Sequence, residues 1–140
     1  MAAASAADGE AAATTGGCLC GAVRYAVEGP LRPVVVCHCS QCRRQTGHYL
    51  AATSVPPERF SLQKDETLRW YRASDSAERG FCSACGSVMF WRPVDGRGIS
   101  FTPGTLDGPT GLAIEGHIFC ADKGDYYDVP REGYHRAGWA

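Results

Sequence analysis

The sequence has no run of apolar residues long enough to cross a bilayer, which takes about 18 or more. It has no excess of either charge: 14 Lys and Arg stand against 15 Asp and Glu, a formal net charge of -1. Binders of nucleic acid and of anionic membranes carry a strong basic surplus, so neither partner is expected. Helical periodicity does not persist over eleven residues anywhere, which argues against a helical bundle. The first sixteen residues, MAAASAADGEAAATTG, lack both the basic start and the Leu- or Val-rich core of a secretory signal. A cytoplasmic location is the expectation.

Cysteine, by contrast, is abundant: there are eight in 140 residues. In a reducing compartment, closely spaced cysteines serve more often as metal ligands or redox groups than as structural disulfides. A Cys-x-Cys disulfide would also be strained, because extended residues two apart place their Cα atoms near the limit of disulfide reach. Metal is the better account.

The length suits one domain. Residues 1–16 are expected to form an Ala-rich disordered tail, 17–129 the folded domain and 130–140 a C-terminal tail. Within the domain, AVRYAV, VVVC, HYLAATSV, FSLQ, LRWYR, ERGFC, SVMFWR, ISFTPG and AIEGHIFC read as short strands separated by Gly and Pro. Helix is confined to a turn in SQCRRQ and another around PPERF. The expected fold class is mainly β: antiparallel sheets, either sandwiched or folded over, with at most one or two short helical turns.

The cysteines fall into groups. Cys82 and Cys85, with Gly86 next, make a knuckle in which Gly tolerates the positive φ of a tight turn. In Cys18-Leu-Cys20 and Cys37-His-Cys39, the period of an extended chain puts both sulfurs on one face and the middle residue on the other. Pairing Cys39-x-x-Cys42 with Cys82-x-x-Cys85 as a zinc ribbon would need a far shorter connection than residues 43–81, and would strand Cys18, Cys20 and Cys37. The economical division is a closed four-cysteine site (Cys18, Cys20, Cys82, Cys85) and an open three-cysteine site (Cys37, Cys39, Cys42).

GGCLCGAVRY, CHCSQCRRQTG, FCSACGS and HIF, in that order, resemble the glutathione-dependent formaldehyde-activating enzyme (GFA) family. That family shares a domain with the centromere protein V (CENP-V) group and has an Mss4-like fold. The resemblance runs from about Gly17 to Asp128. It implies the same division: Cys18, Cys20, Cys82 and Cys85 hold a structural zinc, while Cys37, Cys39 and Cys42 hold a second zinc on the substrate side, open to partial occupancy. It further implies a carbon–sulfur lyase or synthase of the S-(hydroxymethyl)glutathione synthase type, with a small thiol such as glutathione and an aldehyde such as formaldehyde as substrates. The chain departs from the family in its shorter length and in HIFCADKGDYYDV, where Cys120 and the Tyr126-Tyr127 pair stand.

Three ligands leave a tetrahedral ion one position for an outside molecule. The rival is that Cys120 supplies a fourth thiolate, making the protein a non-enzymatic zinc-stapled β module for a protein partner. Arg43 and Arg44 are candidates to grip a substrate carboxylate, or else a solvated pair. His48 and His117 are candidate pocket residues, each with a plain structural alternative. His38 should face away from the metal. Asp125, Tyr126 and Tyr127 are candidates for a pocket edge. Trp70, Tyr71, Phe81, Phe90 and Trp91 are assigned to the core.

Overall fold

Runs of β-branched and aromatic residues broken by Gly and Pro do build strands, in a computed structural model that describes residues 13–140. In chain order the first elements are β1 (Ala13–Gly17), β2 (Arg24–Glu28), β3 (Val34–Cys37), α1 (Ser40–Thr46), β4 (Leu50–Val55), β5 (Phe60–Lys64) and β6 (Leu68–Arg72). There follow β7 (Ala77–Cys82), β8 (Val88–Pro93), β9 (Ile99–Phe101), β10 (Ile114–Ile118) and β11 (Tyr134–His135). Short 3-10 turns lie at Pro57–Arg59, Pro103–Thr105 and Cys120–Asp122. The fold is mainly β with open sheets, as expected. No helix among the described residues is long and apolar enough to cross a membrane.

The strands group into two units. The first contains the described residues up to Arg32 together with Thr53–Gly111. In it β2 pairs antiparallel with β1 and β5. The end of β4, β9, β8, β7 and β6 form a second antiparallel set in that order. Tyr25 on β2 is fully buried between them, with its ring against Phe60, Phe90 and Phe101 and its hydroxyl 2.7 Å from Thr105 Oγ1. Burying so large a ring stabilises the unit by several kcal/mol, of order 25 cal/mol per Å² removed from water. Trp70 and Phe90 stack as core residues should, but Tyr71 is 64% exposed, contrary to its assignment. The reason is the pleat: Tyr71 is next to Trp70 on β6 and points to the opposite face.

The second unit comprises Pro33–Ala52 and Leu112–Ala140. Its strand order is β11, β10, β3 and the start of β4. Here the antiparallel expectation meets an exception, since β10 runs parallel to both β3 and β11. Parallel neighbours need a long connection, and the whole stretch from β4 to β9 separates β3 from β10.

Two segments read as tails are structured in part. Ala13–Gly17 is a strand because Thr14 and Gly16 turn inward, Gly16 directly against Tyr25. The remainder of the 1–16 tail, residues 1–12, lies outside the described residues. Residues 134–138 run beside 116–121, with Phe119, Cys120 and Ala121 N–H groups donating to Gly138, Arg136 and Ala137 carbonyls. Cys120, read as the end of a strand, instead opens a 3-10 turn after Phe119 adopts the left-handed conformation (φ 56°).

Candidate metal centres

The first centre lies wholly within the first unit. Cys18 and Cys20 occupy the turn between β1 and β2, closed by Gly21 at φ 82°, whose N–H donates to the Cys18 carbonyl. Cys82 ends β7, and Gly86 at φ 81° returns its N–H to the Cys82 carbonyl at 2.7 Å before β8 begins. The four sulfurs lie within 4.8 Å of one another, with Cys18–Cys20 at 3.6 Å and Cys20–Cys82 at 3.8 Å. Four sulfurs at about 2.3 Å from a tetrahedral zinc stand about 3.8 Å apart, so the donor set fits that ion. No disulfide competes, for all eight cysteines are free.

Polar neighbours already favour thiolates here. The Ser87 hydroxyl, 3.2 Å from Cys85 Sγ, is the main cause that draws Cys85 down to about 5, helped by N–H groups of Ser87 and Cys20. The Thr67 hydroxyl, 3.2 Å from Cys82 Sγ, does the same for Cys82 against the opposing effect of burial. Cys20 moves the other way, to about 11: the Ala22 N–H favours its thiolate, but Cys18, desolvation, Cys85 and Cys82 together outweigh it. The four sulfurs could together hold a cation, which would favour the thiolate form of each.

The second centre lies wholly within the second unit. Cys37 ends β3, Cys39 is the N-cap of α1, and Cys42 lies on its first turn. The Cys42 N–H donates to Cys39 Sγ at 3.4 Å, so the thiol occupies the place of the usual capping oxygen. Their sulfurs too lie mutually within 4.8 Å, and the group comprises Cys37, Cys39 and Cys42. Cys120 is not a member. Hydrogen bonds from Cys37 and Cys42 draw the Cys39 thiol strongly down, with the Cys42 and Gln41 N–H groups assisting. Cys37 is pushed far up by the same sharing with Cys39 and Cys42, and by burial. A cation among the three would favour their thiolate forms, and a soft thiolate set suits zinc.

Around this trio the expected residues divide. Arg43 and Arg44 follow on α1; Arg44 is exposed, and Arg43 is half-buried with its Nε unpartnered. His48, half-buried beyond the Gly47 cap, faces the Tyr126 hydroxyl through Nδ1 at 2.6 Å. His117 is only 2% exposed, and its Nδ1 lies 3.0 Å from His38 Nε2. His38 is fully buried, with Nδ1 2.6 Å from the Tyr127 hydroxyl. Burial holds both rings neutral, His38 down to about 4 and His117 below its ordinary range. Tyr49 and His135 join this aromatic group without any signal in the sequence.

Comparison with known proteins agrees with the cysteine pattern. Residues 13–122 match the family model for glutathione-dependent formaldehyde-activating enzymes. An uncharacterized lyase of Schizosaccharomyces pombe is 29% identical over 116 residues, covering 81% of this chain and 82% of that one. A crystal structure of a Rhodobacter sphaeroides protein, 24% identical, aligns with a TM-score of 0.56 over 71% of this chain and 97% of that chain. At that identity the likeness speaks to the fold alone.

Proposed function

Because this chain belongs to the glutathione-dependent formaldehyde-activating enzyme family, we propose that it is a zinc-dependent carbon–sulfur lyase or synthase acting on a thiol–aldehyde adduct of the S-(hydroxymethyl)glutathione type. The observation that carries the reading is the unequal pair of sulfur clusters, four in one and three in the other. Cys18, Cys20, Cys82 and Cys85 would enclose a structural ion; Cys37, Cys39 and Cys42 would hold a second, leaving one ligand to come from the substrate. A zinc held by the trio supplies Lewis acidity, lowering the pKa of a thiol or polarising a carbonyl.

In the synthetic direction the thiol adds across the aldehyde C=O. A carbon–sulfur bond forms, and the thiol proton ends on the former carbonyl oxygen; the reverse step releases both molecules. Arg43 and Arg44, one and two residues after Cys42, are suited to a substrate carboxylate, Arg43 by its unpartnered Nε. His48 would hold or pass a proton from the far end of α1. If Arg43 grips substrate, Arg43→Ala should raise KM with little change in kcat.

The test is to mix the purified, zinc-loaded protein with glutathione and formaldehyde and follow adduct exchange by NMR. Acceleration over the uncatalysed rate, lost in Cys39→Ser, is the expected result. No acceleration by fully loaded protein would remove the activity and favour a zinc-stapled module that binds a protein partner.

A further inference from the structure

His38 lies between two of the three clustered cysteines, and three hydrogen bonds hold it. Its N–H donates to the Ile118 carbonyl at 3.0 Å, its Nε2 meets His117 Nδ1 at 3.0 Å, and its Nδ1 meets the Tyr127 hydroxyl at 2.6 Å. We infer that Tyr127 and His117 are positioning residues for the three-cysteine centre: by engaging both ring nitrogens of His38 they fix the backbone that presents Cys37 and Cys39. This rests on reading that cluster as a metal centre.

Residues 37, 38 and 39 leave β3 and enter α1, with Cys39 already outside the strand at φ -66° and ψ 162°. Alternation turns His38 opposite to the sulfurs of its two neighbours. Any restraint on the His38 ring therefore acts on the peptide units that carry both sulfurs. The restraint comes from two separate segments: β10 through Ile118 and His117, and the loop after Asp122 through Tyr127.

Tyr127 is itself well held. Lys123 Nζ donates to its carbonyl at 2.7 Å, and its ring packs on Tyr49 and His48. A ring of His38's size would fill this site as an apolar side chain. A buried imidazole with both nitrogens engaged instead specifies one orientation.

The proton count supports a fixed arrangement. If the Tyr127 hydroxyl donates to Nδ1, His38 Nε2–H donates to His117 Nδ1; if the chain runs in reverse, His117 Nδ1–H donates to His38 and His38 Nδ1–H to the Tyr127 oxygen. Each contact holds one proton in either order. Removing the Tyr127 hydroxyl leaves Nδ1 without that partner where no solvent reaches it, since His38 is 0% exposed. Phe at 127 would keep the ring stacked on His38 at 5.5 Å between centroids, so the change isolates the hydrogen bond.

The full-length protein, loaded with Co(II) at both centres, provides the test. Competition with a chromophoric chelator reads the two affinities, and the four-sulfur centre serves as internal reference. Tyr127→Phe is expected to weaken the three-cysteine centre about tenfold, in the range usual for residues one step behind ligands, and to shift the visible bands of that cobalt alone. His117→Gln should weaken it as well, and Tyr127→Phe should add nothing in a His38→Phe background. Unchanged affinity and spectrum in both single variants would overturn the inference, as would equal weakening of the two centres. A wild-type protein that binds a single ion would overturn the metal reading itself, and the inference with it.

Discussion

His38 and His117 differ from ordinary histidines because desolvation penalises the imidazolium form; for His38, the nearby His117, His48, His135 and Lys123 add a repulsive positive field. The sign follows from linkage. A histidine whose folded pKa is about 4, against 6.5 in the unfolded chain, takes up its proton more readily when unfolded. Folding stability from this group is therefore complete above pH 6.5 and declines as the pH falls toward 4. The His38 carbon-bound ring proton should keep a neutral chemical shift from pH 8 down to pH 5 in NMR titration, and a midpoint near 6.5 would contradict the structure. Gly16 gives a second residue-level expectation. A Cβ there would lie 2.5 Å from Tyr25 Cζ and 2.6 Å from the Thr105 carbonyl oxygen. Gly16→Ala should cost about 1–3 kcal/mol, seen as a lower urea midpoint with an unchanged slope.

Among the elements, the hairpin from β7 to β8 shows how a turn serves a metal. Gly86 at φ 81° lets the chain reverse between Cys85 and Ser87, bringing the Ser87 hydroxyl onto the Cys85 sulfur. Nothing lies within 4 Å of where a Cβ would stand, so Gly86→Ala meets only the left-handed penalty, about 1–2 kcal/mol, without a clash. Thermal unfolding of the loaded variant should register that loss while its metal content stays at the wild-type value. β3, β6 and β8 were legible because short runs of Val, Tyr, Trp and Phe between turn residues suit a pleated strand. The turn in SQCRRQ was legible too, though it extends to seven residues as α1. β1 was not, since ATTGG has little strand propensity and owes its place to partners elsewhere in the chain. β11 is two residues long, and its pairing with β10 leaves no periodicity to read.

For the whole molecule, the two sulfur clusters predict unequal consequences. A structural zinc held by four cysteines contributes about 10–16 kcal/mol of apparent binding energy, comparable to the roughly 5–15 kcal/mol of a domain's whole stability. Cys82→Ser should therefore yield insoluble or unfolded protein, while Cys39→Ser stays folded and loses one metal equivalent. Circular dichroism melts and metal analysis of the two variants check this, and equal melting temperatures would refute it. Which cysteines converge could be read from spacing, because short Cys-x-Cys and Cys-x-x-Cys intervals constrain direction. That Tyr127 would meet His38, or the Ser87 hydroxyl a thiol, could not: the first pair is 89 residues apart, and the second depends on a turn's exact path.

The interleaved chain order has a consequence for biosynthesis. The second unit opens at Pro33 and is completed only by Leu112–Ala140, after every residue of the first has been translated. Until then β3, with Val34 and Val36 that end up buried, lacks its β10 neighbour and offers an unpaired edge to other nascent chains. Meanwhile the local trio Cys37, Cys39 and Cys42 leaves the ribosome early and can capture an ion before Cys82 and Cys85 exist. If both clusters bind zinc, the four-sulfur one would be the later to fill, and a premature stop after Gly111 should produce aggregates rather than a smaller working protein.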